Sequence, residues 1–419
     1  MIKLKKNLIY QLLFALCIAV TYLNNYELTF VVWSLTAVLT LKQRYSSTIL
    51  FYIFIFTSIL GIAFISAFFN EFLQYNYFRD VSYLLKPVIG LLLGYNLCRN
   101  EDIKPFHTIV YTGLFIAVIH LCIIAYSIVV YRVLNIHELR HYGGYFSDFE
   151  VYSLLLIIYS DRFKLNFSKN RKLIILSILL ISSFLYVSRT NFLQFLIFWM
   201  AMSGYFKINK RSLKVIGSFI VFIILLYTAL FNMKFSRNGS GMEAFWFKVK
   251  NAPIEAFKSK VNKENWEDFN DNYRSYEKIV TLKQVGETNV GIVLGKGLGS
   301  TVDLRREVWT NDGEFMRYLP TLHNGFITIY LKAGLVGIAL YILFLFYLCK
   351  LPKTQDDYIT QINLLLLGTG IFLFLSSWVL LGLYYKTENK SIIIGFIICY
   401  REMMIKRERL KTGSKNLFY

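Results

Sequence analysis

Charge is what this sequence has little of. Charged residues make up 17% of it, against about a quarter in soluble globular chains, while 56% is hydrophobic and the mean hydropathy is +0.47. That balance argues against a water-soluble enzyme. Proline, at 5 of 419 residues, is too scarce for a linker-rich or disordered chain. Cys17, Cys98, Cys122, Cys349 and Cys399 all fall within apolar runs or at their ends, so no disulfide staples an extramembrane part. No Cys/His spacing suits zinc. No GxxxxGK[ST] run is present, and Gly295, Gly297 and Gly299 do not follow the dinucleotide fingerprint; a tight turn is expected there. There is no internal repeat and no low-complexity tract.

Apolar sequence is what there is. A helix needs about 20 mostly apolar residues to cross the hydrocarbon core of a bilayer. Twelve stretches are candidates: 7–23, 26–41, 48–69, 80–98, 107–131, 145–160, 173–187, 190–206, 213–232, 325–349, 359–384 and 387–402. The first has a basic start but no small-x-small cleavage site after it, and is expected to be a retained anchor. With both ends of the chain inside, the inner segments and flanks carry 24 Lys/Arg and the short outer loops six. The long outer loop holds 14, but long loops translocate largely regardless of charge. The net charge of +20 is therefore expected to be mainly an orientation signal, not a nucleic-acid footprint. The expected fold is an all-α polytopic membrane protein: spans one to nine over 1–232, a large periplasmic loop with amphipathic helices over 233–321, spans ten to twelve over 322–402, and a basic cytoplasmic tail over 403–419.

Within the loop, Glu243 to Val261 mixes aromatics with lysines and reads as a segment on the membrane surface. A helix over Tyr273 to Gln284 is expected to put Tyr273, Tyr276 and Val280 on one face and Arg274, Glu277 and Lys278 on another. A short apolar run, Val290 to Leu294, leads into the glycine turn.

Three residues are the candidates for chemistry. Arg189 lies in so short a connection between two spans that its guanidinium must sit at the outer surface, where it either snorkels or serves a function. Arg274 opens the loop helix, where it either pairs with Glu277 or a nearby acid or meets an anion. His323 stands between the loop and a rigid span, as a cap or as a general base that ionises near neutrality. Arg79, Lys86 and Arg140 are further candidates for substrate binding, as are Asn324, beside His323, and Tyr330, seven residues on and on roughly the same helical face. Asp148 and Glu150, near the outer end of the sixth span, could hold a divalent metal, but alternate residues of a helix do not face each other, which favours a structural role. Gly334 and Gly337 are expected to permit close helix packing. Interior charge is expected only at Lys86 and Lys332, which argues against a transporter or flippase with charges buried through several spans.

Leu322-His323-Asn324-Gly325 entering a span, with Gly334-x-x-Gly337 following, resembles the signature of the O-antigen polymerase and O-antigen ligase family. Ser188-Arg189 resembles its short turn between two spans, and Tyr273-Arg274 followed by Leu294 to Gly299 resembles its loop segment before the histidine. The similarity covers about residues 140 to 345; one departure is Phe146 to Glu150, where many relatives carry an Asn-Pro-Asn-like turn. The resemblance implies a membrane glycosyltransferase with the C-type membrane fold, active on the outer face of the bacterial inner membrane without metal or cofactor. Its donor would be an undecaprenyl-diphosphate-linked oligosaccharide. Carried over by motif, Arg189 and Arg274 would bind the diphosphate, and His323 would activate the acceptor hydroxyl or donate to the diphosphate. A polymerase would pass the glycan to the next lipid-linked repeat unit, a ligase to lipid A core. Membrane lipids, a chain-length regulator and a flippase are the further partners to be expected, and no nucleic acid.

Overall fold

The computed structural model describes residues 6–70, 74–99, 104–133, 135–144, 147–207, 210–237, 239, 241–309, 314–352 and 354–411. Helices dominate. The first group is α1 (Lys6–Ala19), extended by a 3-10 turn over Val20–Leu23, then α2 (Tyr26–Leu39), α3 (Ser47–Ala67), α4 (Gln74–Cys98) and α5 (Pro105–Tyr131). Next come α6 (Ile136–Gly143), α7 (Asp148–Ile158), α8 (Lys169–Leu185), α9 (Arg189–Met202) and α10 (Lys210–Asn232). The segment expected to be a large loop contains α11 (Gly241–Phe257), α12 (Trp266–Asp271), α13 (Tyr273–Val285), α14 (Asn289–Leu294), β1 (Val302–Trp309) and β2 (Phe315–Leu319). The chain closes with α15 (Gly325–Cys349), α16 (Asp357–Val379), a 3-10 turn over Gly382–Tyr384, and α17 (Lys390–Lys411).

Among the described residues, six helices are long and apolar enough to cross a membrane: α3, α4, α5, most of α10, α15 and α16. The rest fall short. The expected span 145–160 is represented by α7, whose 11 residues rise only about 16 Å, half of the hydrocarbon thickness. All but the last residue of α7 is buried, so it is a core helix wrapped by its neighbours rather than a helix facing lipid. Hydropathy cannot separate those two cases, because both read as an apolar run. At the other extreme, only 6% of the apolar window of α10 is buried; this helix stands outside the bundle and packs chiefly on α11.

Capping side chains set where many of these helices begin. Asn25, Ser46, Ser147, Ser168, Ser188, Asn265, Thr288, Asn324 and Asp356 each accept a hydrogen bond from a backbone N–H in the first turn of the helix that follows. Two of these caps belong to the family-like motifs. Ser188 therefore fixes Arg189 as the first residue of α9, and Asn324 fixes His323 just outside α15.

One apolar core joins α1 to α5, α7 to α9 and α15 to α17. A second forms where Phe269, Tyr276, Val285, Val302, Leu304 and Leu319 pack on Leu322, Ile327, Tyr330 and Leu331 at the start of α15. The segment before His323 is thus folded against the bundle, not lying loosely beside it. It also departs from the all-α expectation: β1 and β2 form an antiparallel hairpin, paired at Val302 with Leu319 and at Trp309 with Phe315. The ladder is irregular between Asp303 and Val308, where Arg305 takes a positive φ of 54°.

Gly334 does more than allow close packing. Its φ of 61° and ψ of −158° interrupt α15, freeing carbonyls that a continuous helix would occupy. The glycine turn takes them up: Lys296 N–H donates to the Leu331 carbonyl (2.7 Å) and Gly297 N–H to that of Lys332 (3.2 Å). On the other side Leu298 N–H donates to the Ala63 carbonyl (3.0 Å), and the Ser66 hydroxyl to that of Gly295 (2.6 Å). Gly297, at a φ of 83°, lies so close to α3 that a Cβ there would stand 2.2 Å from the Ala67 nitrogen.

The expectation of interior charge only at Lys86 and Lys332 is corrected. Asp80, Asp148, Glu150, Glu388 and Lys390 are also buried. Asp148 pairs with Lys390, and Glu150 accepts from the Tyr186 hydroxyl at 3.1 Å. These groups stand at or near the starts of α4, α7 and α17, where sequence suggests a span edge. Tertiary packing covers those ends and forces the charges to pair.

Candidate functional site

His323 is held by a residue that the helical-face reading had placed elsewhere. Glu277, from the second turn of α13, is buried, with 2% of its side chain exposed against 44% for His323. Its Oε2 accepts from the His323 backbone N–H at 2.9 Å, and its two oxygens lie 3.0 and 3.2 Å from His323 Nδ1. The edge-on ring of Tyr273 completes the contact, with centroids 5.5 Å apart and planes at 82°. Burial, and then the adjoining Glu277 carboxylate, push the Tyr273 phenol above its ordinary value. The signal was present in sequence. Tyr273 and Glu277 are four residues apart and so share a helical face.

Arg274, next to Tyr273 on α13, consequently does not pair with Glu277. Its Nη1 lies 3.7 Å from Glu255 Oε1 on α11. Arg189 Nη1 donates to the Lys248 carbonyl of the same helix at 3.2 Å. The Arg189 guanidinium is within electrostatic reach of Arg274, Arg140 and Glu255. Arg189 and Arg274 thus both rest on α11, with Arg140 of α6 also within electrostatic reach of Arg189. Such an excess of planar cations suits a multivalent anion, because each guanidinium can offer two parallel N–H bonds.

The remaining candidates separate from this group. Asn324 is occupied as a cap: its Oδ1 accepts from Ile327 N–H (3.0 Å) and its Nδ2 donates to the Trp378 carbonyl (2.7 Å). Tyr330 is buried in the second apolar core. The Lys86 ammonium donates to the carbonyls of Tyr385 (3.0 Å) and Lys386 (2.6 Å) and lies 5.1 Å from the Trp33 ring centroid. Arg79 stands beside Asp80, and among the described residues its Nε and Nη2, both out of solvent, have no hydrogen-bond partner.

No family model matches this chain, and no curated protein matches it. What the site can do must be argued from its geometry. The described residues thus offer an exposed imidazole with a buried carboxylate behind it, and two arginines that rest on the adjoining helix α11. No group of His, Cys, Asp and Glu that could hold a metal occurs among the described residues.

Proposed function

We propose that this protein is a membrane glycosyltransferase that extends a polysaccharide. In this reading it transfers a growing glycan from undecaprenyl diphosphate to a sugar hydroxyl of the next lipid-linked repeat unit, on the outer face of the bacterial inner membrane. The observation that carries the reading is that Arg189 and Arg274 both rest on α11, through the Lys248 carbonyl and Glu255, while the helix of Arg274 also holds His323 through Glu277. Arg189, Arg274 and His323 come from three separate segments of sequence, the same three that resemble the O-antigen polymerase and ligase family.

The chemistry follows from the charges. Negative charge grows on the diphosphate as its bond to the sugar breaks. A guanidinium keeps its proton and meets that charge with two bonds. In a water-poor site, each such contact is worth roughly 2.7–4 kcal/mol of barrier, by analogy with oxyanion donors. The acceptor hydroxyl loses its proton to His323, a step worth about 10² to 10⁴ in rate.

The deciding experiment uses purified full-length protein in lipid nanodiscs with a defined undecaprenyl-diphosphate-linked repeat unit, with and without EDTA. Longer lipid-linked products in both samples are expected. If no product forms unless lipid A core is added, the ligase reading replaces this one. If no glycan is transferred to either acceptor, the transferase reading falls.

A further inference from the structure

We propose that Glu277 is the positioning residue of this site, setting His323 in the tautomer that leaves Nε2 bare and turned toward the acceptor. The inference rests on the reading above, in which His323 takes the acceptor proton, and gives the physical reason for that role over donation to the diphosphate. A histidine that donates to a diphosphate needs a proton on Nε2. One that takes a proton from a hydroxyl needs a lone pair there.

Three contacts carry the argument. An ionised carboxylate can only accept hydrogen bonds. With Glu277 oxygens at 3.0 and 3.2 Å from Nδ1, the ring hydrogen sits on Nδ1, and the neutral imidazole keeps its lone pair on Nε2. The same carboxylate also accepts from the His323 backbone N–H at 2.9 Å. Holding a residue by both its main chain and its ring leaves the ring little freedom to turn. The Tyr273 edge blocks a further direction. Glu277 is nearly sealed from water while the His323 side chain is 44% exposed, so the free edge of the imidazole is the one that faces outward. Arg274 does not compete for the carboxylate, because it is engaged with Glu255.

The transfer then balances. The acceptor oxygen forms its bond to the donor anomeric carbon as its proton moves to His323 Nε2. The bond from that carbon to the diphosphate oxygen breaks, and the electron pair leaves with the lipid diphosphate beside Arg189 and Arg274. The imidazolium so formed lies against the Glu277 carboxylate, which stabilises it until the proton passes to water.

The test reads the tautomer directly. In nanodisc-embedded protein with ¹⁵N-labelled histidine, with His323→Gln serving to assign the signal, the neutral His323 ring is expected to carry its hydrogen on Nδ1. In Glu277→Gln that preference should be lost, and kcat for chain extension should fall about 100-fold with little change in KM for the donor. Glu277→Asp should restore part of the rate. A wild-type ring protonated on Nε2 overturns the inference even if chain extension proceeds, and it does so without depending on how any variant folds. The expected tautomer in a protein that transfers no glycan leaves the pair standing and sinks only the proposed function.

Discussion

Lys332 and Asp80 form a buried ion pair, Nζ to Oδ2 at 2.5 Å, in which each side chain is only 2% exposed. It joins the interrupted helix α15 to α4, and the glycine turn completes it. Gly299 N–H donates to the same Asp80 oxygen at 2.7 Å, and Lys332 also donates to the Ser300 carbonyl at 2.5 Å. One charge pair thus fastens together the bundle and the segment that carries Arg274 and Glu277.

Breaking that pair from one side strands a charge in a place that water does not reach. Lys332→Met or Asp80→Leu alone is expected to cost about 3–5 kcal/mol. Lys332→Met/Asp80→Leu together should cost distinctly less, because both charges leave at once. Thermal unfolding of the detergent-solubilised protein checks this. Additive losses in the double variant would show that the two residues do not act as a pair.

The seat of the glycine turn depends on a backbone that carries no side chain. Gly297→Ala adds a Cβ that collides with the Ala67 backbone at a φ of 83°. Left-handed strain alone costs about 1–2 kcal/mol, and the collision adds to it. Gly204 also has a positive φ, 76°, but nothing lies within 4 Å of its added Cβ; Gly204→Ala should show the strain alone. Limited proteolysis between residues 241 and 309 should accelerate far more in the first variant than in the second.

On the proposed function, chain extension depends on each of Arg189, Arg274 and His323. Arg189→Ala and Arg274→Ala are each expected to lower kcat about 10²- to 10³-fold, and His323→Ala about 10²- to 10⁴-fold, with insertion unchanged by membrane fractionation. Full activity in any two of these variants would remove the site assignment.

Acid should loosen the hairpin before the bundle. The side-chain hydrogen bond from Arg317 holds the Asp303 carboxyl below its ordinary value, the Arg305 N–H adding to the effect. Asp303 is therefore more acidic folded than unfolded. The stabilisation is present above about pH 4, its unfolded range, and is lost as pH falls through the lower folded value. Hydrogen exchange of the β1 and β2 amides should rise over that interval, and Asp303→Asn should remove the pH-dependent part. An unchanged profile in that variant would assign the acid response to another group.

Much of this was legible in sequence for a physical reason. Apolar length and period are local properties, so helices fall on the apolar stretches, and Ser188 and Asn324 could be read beside Arg189 and His323 as turn residues before helices. That Arg189, Arg274 and His323 share one side was an expectation from alternating spans; the structure places Arg189 and Arg274 against one helix, α11, and His323 against Glu277 of the helix that carries Arg274. The hairpin over Val302–Trp309 and Phe315–Leu319 was not legible, since its alternation is short and broken by the irregularity at Arg305.

Sequence by itself determined that this chain is built of apolar helices, where many of them start, and which few polar residues stand near their ends. Tertiary structure alone decided the partners: Glu277 with His323, Glu255 with Arg274, Asp80 with Lys332, Asp148 with Lys390. A pairing between residues on different elements depends on how helices are laid against one another. The period of a single helix carries no record of that arrangement, whereas the penalty for burying an unpaired charge enforces it once the chain is folded.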